Sequence, residues 1–156
     1  MKLELTRRGD YAVRAMLALG RARGERLSTP SIAASMAIPV RFLPQVMGDL
    51  ARAGLVASQA GRNGGYRLAR PAAQIDLLSI IEAVEGDSRR RTCVLRGGPC
   101  RRDGPCDVHE VFFAAQDALL GQLADASLAS VVDGGPERAP KPDPAVVARR
   151  RAPTRA

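Results

Sequence analysis

Apolar residues recur three and four apart through the first third of the chain and then give way to short alternating runs, a change of period that predicts helices followed by a hairpin. Ala12, Val13, Met16, Leu17 and Gly20 predict the inward stripe of a first helix, opened by Thr6 as N-cap and ending between Gly20 and Gly24. Ser28-Thr29-Pro30 announces a second helix with Pro at its first position, where the missing N–H costs nothing, and with Ile32, Ala33 and Met36 inward. Beyond the tight connection Ala37-Ile38-Pro39, a third helix turns Leu43, Val46, Met47 and Leu50 inward. Arg41, Gln45, Gly48, Asp49 and Arg52 point outward, Pro44 loosens the first turn, and Gly54 closes the end.

Two extended runs follow, Leu55–Gln59 and Tyr66–Ala69, joined by Gly61-Arg62-Asn63-Gly64-Gly65. Asn63-Gly64 signals a hairpin whose central residues accept positive φ. Asp76 caps a further helix with Leu77, Leu78, Ile81 and Val84 inward, ended by Gly86. From Val108 a longer helix shows Phe112, Ala115, Leu119 and Leu123 in near-heptad spacing, widened by Val111, Ala114 and Ala118. So much apolar face with no further core to cover invites a partner. The last 23 residues hold five prolines and Arg149-Arg150-Arg151, too little apolar surface to fold, and predict a disordered basic tail.

Composition narrows this picture. With 156 residues, 46% apolar, 3% aromatic and no Trp, the core is one of Ala, Leu, Val and Ile, which favours packed helices. No run approaches the roughly 20 apolar residues of a membrane helix, and the start of the chain lacks a signal-peptide pattern, so a cytoplasmic protein without membrane contact is expected. The net charge of +8 is unevenly placed: residues 1–70 hold 12 Lys and Arg against 4 Asp and Glu, whereas residues 71–133 hold 6 against 10. A polyanion would be held by the first half.

Helix, short helix, tight turn, helix and hairpin is the order of a winged helix-turn-helix, whose third helix enters the DNA major groove. Arg41 and Gln45, one turn apart near the start of that helix, can pair with guanine and adenine in bidentate fashion, each contact worth about 1–3 kcal/mol of discrimination. Arg52 lies on the same face, and Arg62 and Asn63 at the hairpin tip suit a minor groove or a phosphate wall.

Three cysteines lie within fourteen residues, spaced Cys93-x6-Cys100-x5-Cys106-x2-His109. Neither the usual structural zinc spacing nor a ferredoxin loop fits. Three thiolates can hold three corners of a cubane iron–sulfur cluster, leaving the last iron to a weaker ligand, and six arginines between Arg89 and Arg102 favour the thiolate form. Thiol oxidation without metal and a Cys3His zinc site remain rival readings. An iron–sulfur enzyme or electron carrier is disfavoured by a single histidine, a single cysteine set and no Gly-rich cofactor loop.

Leu5-Thr6, Gly9-Asp10-Tyr11-Ala12-Val13-Arg14-Ala15-Met16, Gly54-Leu55-Val56, Asn63-Gly64-Gly65-Tyr66-Arg67-Leu68 with Pro71-Ala72, and the three cysteines together resemble the IscR/NsrR-type winged-helix regulators, the Rrf-two family, from Met1 to about Val132. The resemblance implies a mainly α fold divided into a winged helix-turn-helix domain (1–86), a cluster-binding loop (87–107), a dimerisation helix region (108–133) and the tail (134–156). It implies a homodimeric transcriptional regulator, a repressor on this reading rather than an enzyme, bound to a partly palindromic double-stranded DNA operator. Cys93, Cys100 and Cys106 would hold a 4Fe–4S cluster, with 2Fe–2S as the alternative, sensing nitric oxide, iron, cluster supply or redox state. The fourth ligand would be Asp10 from the partner subunit or, alternatively, His109.

Overall fold

The computed structural model describes residues 4–88 and 107–134. Six helices and one hairpin are formed among them: α1 (Arg7–Arg21), α2 (Thr29–Met36), α3 (Leu43–Arg52), β1 (Val56–Gln59), β2 (Gly65–Leu68), α4 (Leu77–Glu85), α5 (His109–Asp125) and α6 (Leu128–Gly134). Single 3-10 turns stand at Val40–Phe42 and Ala72–Gln74.

Helix starts follow local chemistry. Thr6, Ser28 and Asp76 each take extended backbone and accept, through a side-chain oxygen, the N–H three residues on. At α1 the cap has a second half. A capping box would use a Glu or Gln at the third helical position to bond the cap's own N–H. That position is Gly9, and Glu85 takes the role from the end of α4: its Oε1 accepts the Thr6 N–H at 3.0 Å and the Thr6 hydroxyl at 2.7 Å. A Cβ on Gly9 would lie 2.2 Å from that carboxylate oxygen, so the missing side chain is what admits it.

The core is built around α1, which packs on α2, α3, α4 and α6. Its buried stripe is turned relative to the expected one. Tyr11, Ala12, Ala15, Met16 and Leu19 are the inward residues, whereas Val13, Leu17 and Gly20 are only partly covered. Alanines at 12 and 15, both 0% exposed, let several elements approach this helix closely, and a face shared among four neighbours is broader than a single stripe. In α4, likewise, Ile80 is fully buried and Leu77 only partly, because this helix covers α1 and α3 on one side and α5 on another.

The two strands pair antiparallel, with Val56 opposite Leu68 and Gln59 opposite Gly65. A third piece joins them: Leu27 and Tyr66 exchange both backbone hydrogen bonds at 2.9 Å, pinning the hairpin to the segment that enters α2. The hairpin turn departs from expectation. Positive φ falls on Gly61 and Gly65 rather than on Asn63 and Gly64. The Gly64 N–H bonds to Gly61 O at 2.9 Å, so the loop of residues 60–64 closes on itself and needs no two-residue primed turn.

The C-terminal region is two helices. Ala126 and Ser127 interrupt it: the Leu77 N–H bonds to Ala126 O, the Leu128 N–H to Ile75 O, and Ser127 Oγ accepts from Ser130 N–H. Leu128 is 0% exposed within the main core, so α6 completes the winged-helix unit. By contrast α5 has no buried residue, and Val111 and Phe112 stand 71% and 38% exposed. Among the described residues, no helix is long and apolar enough to cross a membrane.

Candidate nucleic-acid interface and cluster ligands

α3 is held by one face. Leu43, Val46, Met47 and Leu50 are at most 1% exposed, which fixes the helix axis and its rotation. The turn before it is set by Ala37 in the left-handed region (φ 52°, ψ 41°) and by buried Ile38, so α2 and α3 meet at a defined angle.

Gln45 and Arg52 lie exposed on the opposite face. Arg41 is exposed too, but it belongs to the 3-10 turn that precedes α3 and not to the helix itself. Its guanidinium sits 4.6 Å above the Phe42 ring, which in turn stacks on buried Tyr11 with centroids 5.7 Å apart. That stack ties one face of the guanidinium to the core while Arg41 stays exposed, an arrangement worth about 0.5–1 kcal/mol at an exposed site. Because α3 starts at Leu43, Pro44 is its second residue and removes no intrahelical bond; the expected loosening does not arise.

Asp49 also departs from expectation. It is 6% exposed, and its two oxygens are taken by Arg8 of α1 and Arg52 of α3. Periodicity assigned it to the outer face; the position lies where α3 meets the start of α1, and a carboxylate there is covered by the arginines that neutralise it.

The hairpin displays Arg62 and Asn63 exposed at its tip. Between the hairpin and the start of α2 runs an open recess lined by Ser28, Thr29, Ser58, Gln59 and Gly61. Hydroxyls and backbone there offer donors of the kind that meet phosphate oxygens.

Of the expected cluster ligands, Cys93, Cys100 and Cys106 lie outside the described residues. Asp10 is in the first turn of α1, 38% exposed, with Oδ1 accepting from Arg14 Nε at 2.8 Å. His109 opens α5, partly covered, its ring 4.1 Å from that of Phe113. The Thr6–Glu85 bonds bring the end of α4, from which the cysteine segment departs, onto the same turn of α1 that carries Asp10. Sequence reading missed Glu85 and Arg8, since the partners of each are 79 and 41 residues away and no local pattern marks them.

Comparison with known proteins agrees with the winged-helix fold. The family model Rrf2, described as "Iron-dependent Transcriptional regulator", matches residues 5–134. The chain is 34% identical over 133 residues to the HTH-type transcriptional regulator IscR of Cronobacter sakazakii, covering 84% of this chain and 81% of that one. Among solved structures it is similar to CymR, the global cysteine regulator of B. subtilis (TM-score 0.73, 25% identity, 86% of this chain and 100% of that one). It is also similar to T. potens IscR (TM-score 0.70, 28% identity, 88% and 91%).

Proposed function

The chain belongs to the Rrf2 family of winged-helix transcriptional regulators, and from that premise we propose a homodimeric repressor whose hold on its operator is set by an iron–sulfur cluster. The observation that carries the DNA-binding part is the one-sided anchoring of α3, with its inner residues locked and Arg41 and Gln45 exposed one turn apart. Arg41 and Gln45 would read base edges, and Arg52, Arg62 and Asn63 would hold phosphate or groove walls. Exposed Val111 and Phe112 support α5 as the dimer helix, which would set two reading heads about one DNA turn apart.

The donor set suits the cofactor. Three thiols within fourteen residues, with the Asp10 carboxylate or the His109 imidazole for the last position, match a 4Fe–4S cluster with one weakly held iron; 2Fe–2S is the alternative. Bound there, the cluster would supply an iron open to nitric oxide, oxidants or loss. The chain's own part is mechanical: Thr6 and Glu85 join the root of the cysteine segment to α1, and α1 packs on α3. A shift of the end of α4 therefore has a packed route to the reading helix.

The likeness to CymR of Staphylococcus aureus, whose structure is known in an oxidized form (TM-score 0.67, 26% identity), favours a second reading, direct thiol oxidation with no metal. One experiment separates them. The protein isolated without oxygen is expected to be brown with iron and sulfide, and Cys100→Ala is expected to lose both colour and the response of operator binding to nitric oxide. A colourless wild type whose DNA binding follows oxidant selects the thiol reading. Unchanged affinity and response in Cys100→Ala ends the cluster proposal.

A further inference from the structure

Asp49 is the buried charged side chain among the described residues, and it sits on the reading helix. Arg8 gives an Nη2–H to its Oδ2 and Arg52 gives one to its Oδ1, while the two arginine side chains themselves remain 48% and 77% exposed. Arg52 does not trail off the end of the helix. Its Nη1 lies 3.9 Å from where a Cβ on Gly48 would be, so it folds back over the bare glycine along the face shared with Gln45.

Each guanidinium carries five N–H donors, and one suffices for its bond to the carboxylate. Two cations and one anion leave a surplus positive charge on the outer side of α3, with two planar forks fixed on either side of one carboxylate. Long side chains that are already ordered lose less freedom when a ligand arrives. We infer that Arg8 and Arg52, held together by Asp49, form a preformed clamp for a DNA backbone phosphate beside the reading face. Asp49 is then a positioning residue, and Arg8 of α1 joins the DNA interface. The inference rests on the proposal that α3 reads DNA, and the clamp's place near the C-terminal end of α3 suits backbone rather than base contact, since base edges are met by the N-terminal residues of such helices.

A tie serving only to hold α1 on α3 makes the opposite prediction. Asp49→Asn removes a negative charge from beneath the two exposed arginines, so general electrostatics tightens DNA binding, whereas loss of the clamp weakens it. Full-length protein isolated without oxygen would be titrated onto a long mixed-sequence duplex by fluorescence anisotropy across a KCl series. We expect Asp49→Asn to bind roughly three- to tenfold more weakly. Arg8→Gln and Arg52→Gln should each flatten the plot of log K against log salt by about one. Arg8→Gln should also cost less in the Asp49→Asn background than in the wild type. Binding by Asp49→Asn as tight as wild type or tighter, or unchanged salt slopes in both arginine variants, overturns the clamp. Should Asp49→Asn lose its folded melting transition, the two substitutions at exposed arginines decide alone. Selection from a random duplex pool tests the underlying reading separately: a doubly substituted Arg41→Ala, Gln45→Ala protein that still enriches the wild-type sequences removes α3 as the reading helix, whatever the clamp variants do.

Discussion

Arg14 donates its Nε–H to Oδ1 of Asp10 at 2.8 Å, across one turn of α1. The pair occupies one oxygen of a carboxylate that stays partly open to solvent, and Asp10 is proposed as the fourth ligand, from the partner subunit, on its Gly9-Asp10-Tyr11 context, with His109 the alternative. Asp10→Ala is expected to change the visible spectrum and the nitric oxide reactivity of anaerobically isolated protein, with His109→Ala leaving both as in wild type. The reverse pattern assigns the position to His109.

Two glycines of the hairpin should respond differently to alanine. Both have positive φ, +104° at Gly61 and +144° at Gly65, but a Cβ at Gly61 meets open space and one at Gly65 would lie 2.6 Å from Leu27 O. Gly61→Ala should cost about 1–2 kcal/mol from backbone strain alone. Gly65→Ala should cost more, because the clash falls on rigid backbone and breaks the Leu27–Tyr66 pairing. Urea denaturation of the two variants checks the order; equal costs would mean the Leu27 bridge contributes nothing.

Leu128 connects the end of the described chain to the core of its first half. Its full burial predicts that Leu128→Ala lowers stability by roughly 2–5 kcal/mol, the range for emptying a packed leucine site. A fragment ending at residue 86 should for the same reason melt well below the full chain, since α6 supplies part of the winged-helix core. A fragment as stable as the whole protein would contradict this.

Substituting Glu at both Val111 and Phe112 places charge on the exposed face of α5 without touching a buried residue. Sedimentation should then report a monomer with an intact helical spectrum, and operator affinity should fall roughly a hundredfold as two linked heads become one. A dimer that persists would place the subunit contact elsewhere.

Much of the fold is local chemistry and was legible as such. Thr6, Ser28 and Asp76 cap their helices because a side-chain oxygen meets an N–H three residues away, and Leu43, Val46, Met47 and Leu50 face inward because their spacing matches the helical period. The exposure of Gln45 and Arg52 on the opposite face was legible for the same reason, whereas Arg41 is exposed on the 3-10 turn before the helix. The break at Ala126 and Ser127 was not legible, however, since the backbone groups that bond there belong to Leu77 and Ile75.

From its sequence alone, then, the chain declared its element order as far as the fourth helix, its helix caps, its anchored third helix and the spacing of its three thiols, all properties of residues near one another in the chain. Tertiary structure decided what faces what: that Asp49 is inward and shared by two arginines, that Gly9 admits Glu85, that Tyr66 bonds Leu27, and that Leu128 returns to the core. Each of these except the Asp49–Arg52 contact joins residues far apart in the chain. Such pairings leave no periodic trace in composition or spacing, and only the folded packing brings the charges and backbone groups within reach.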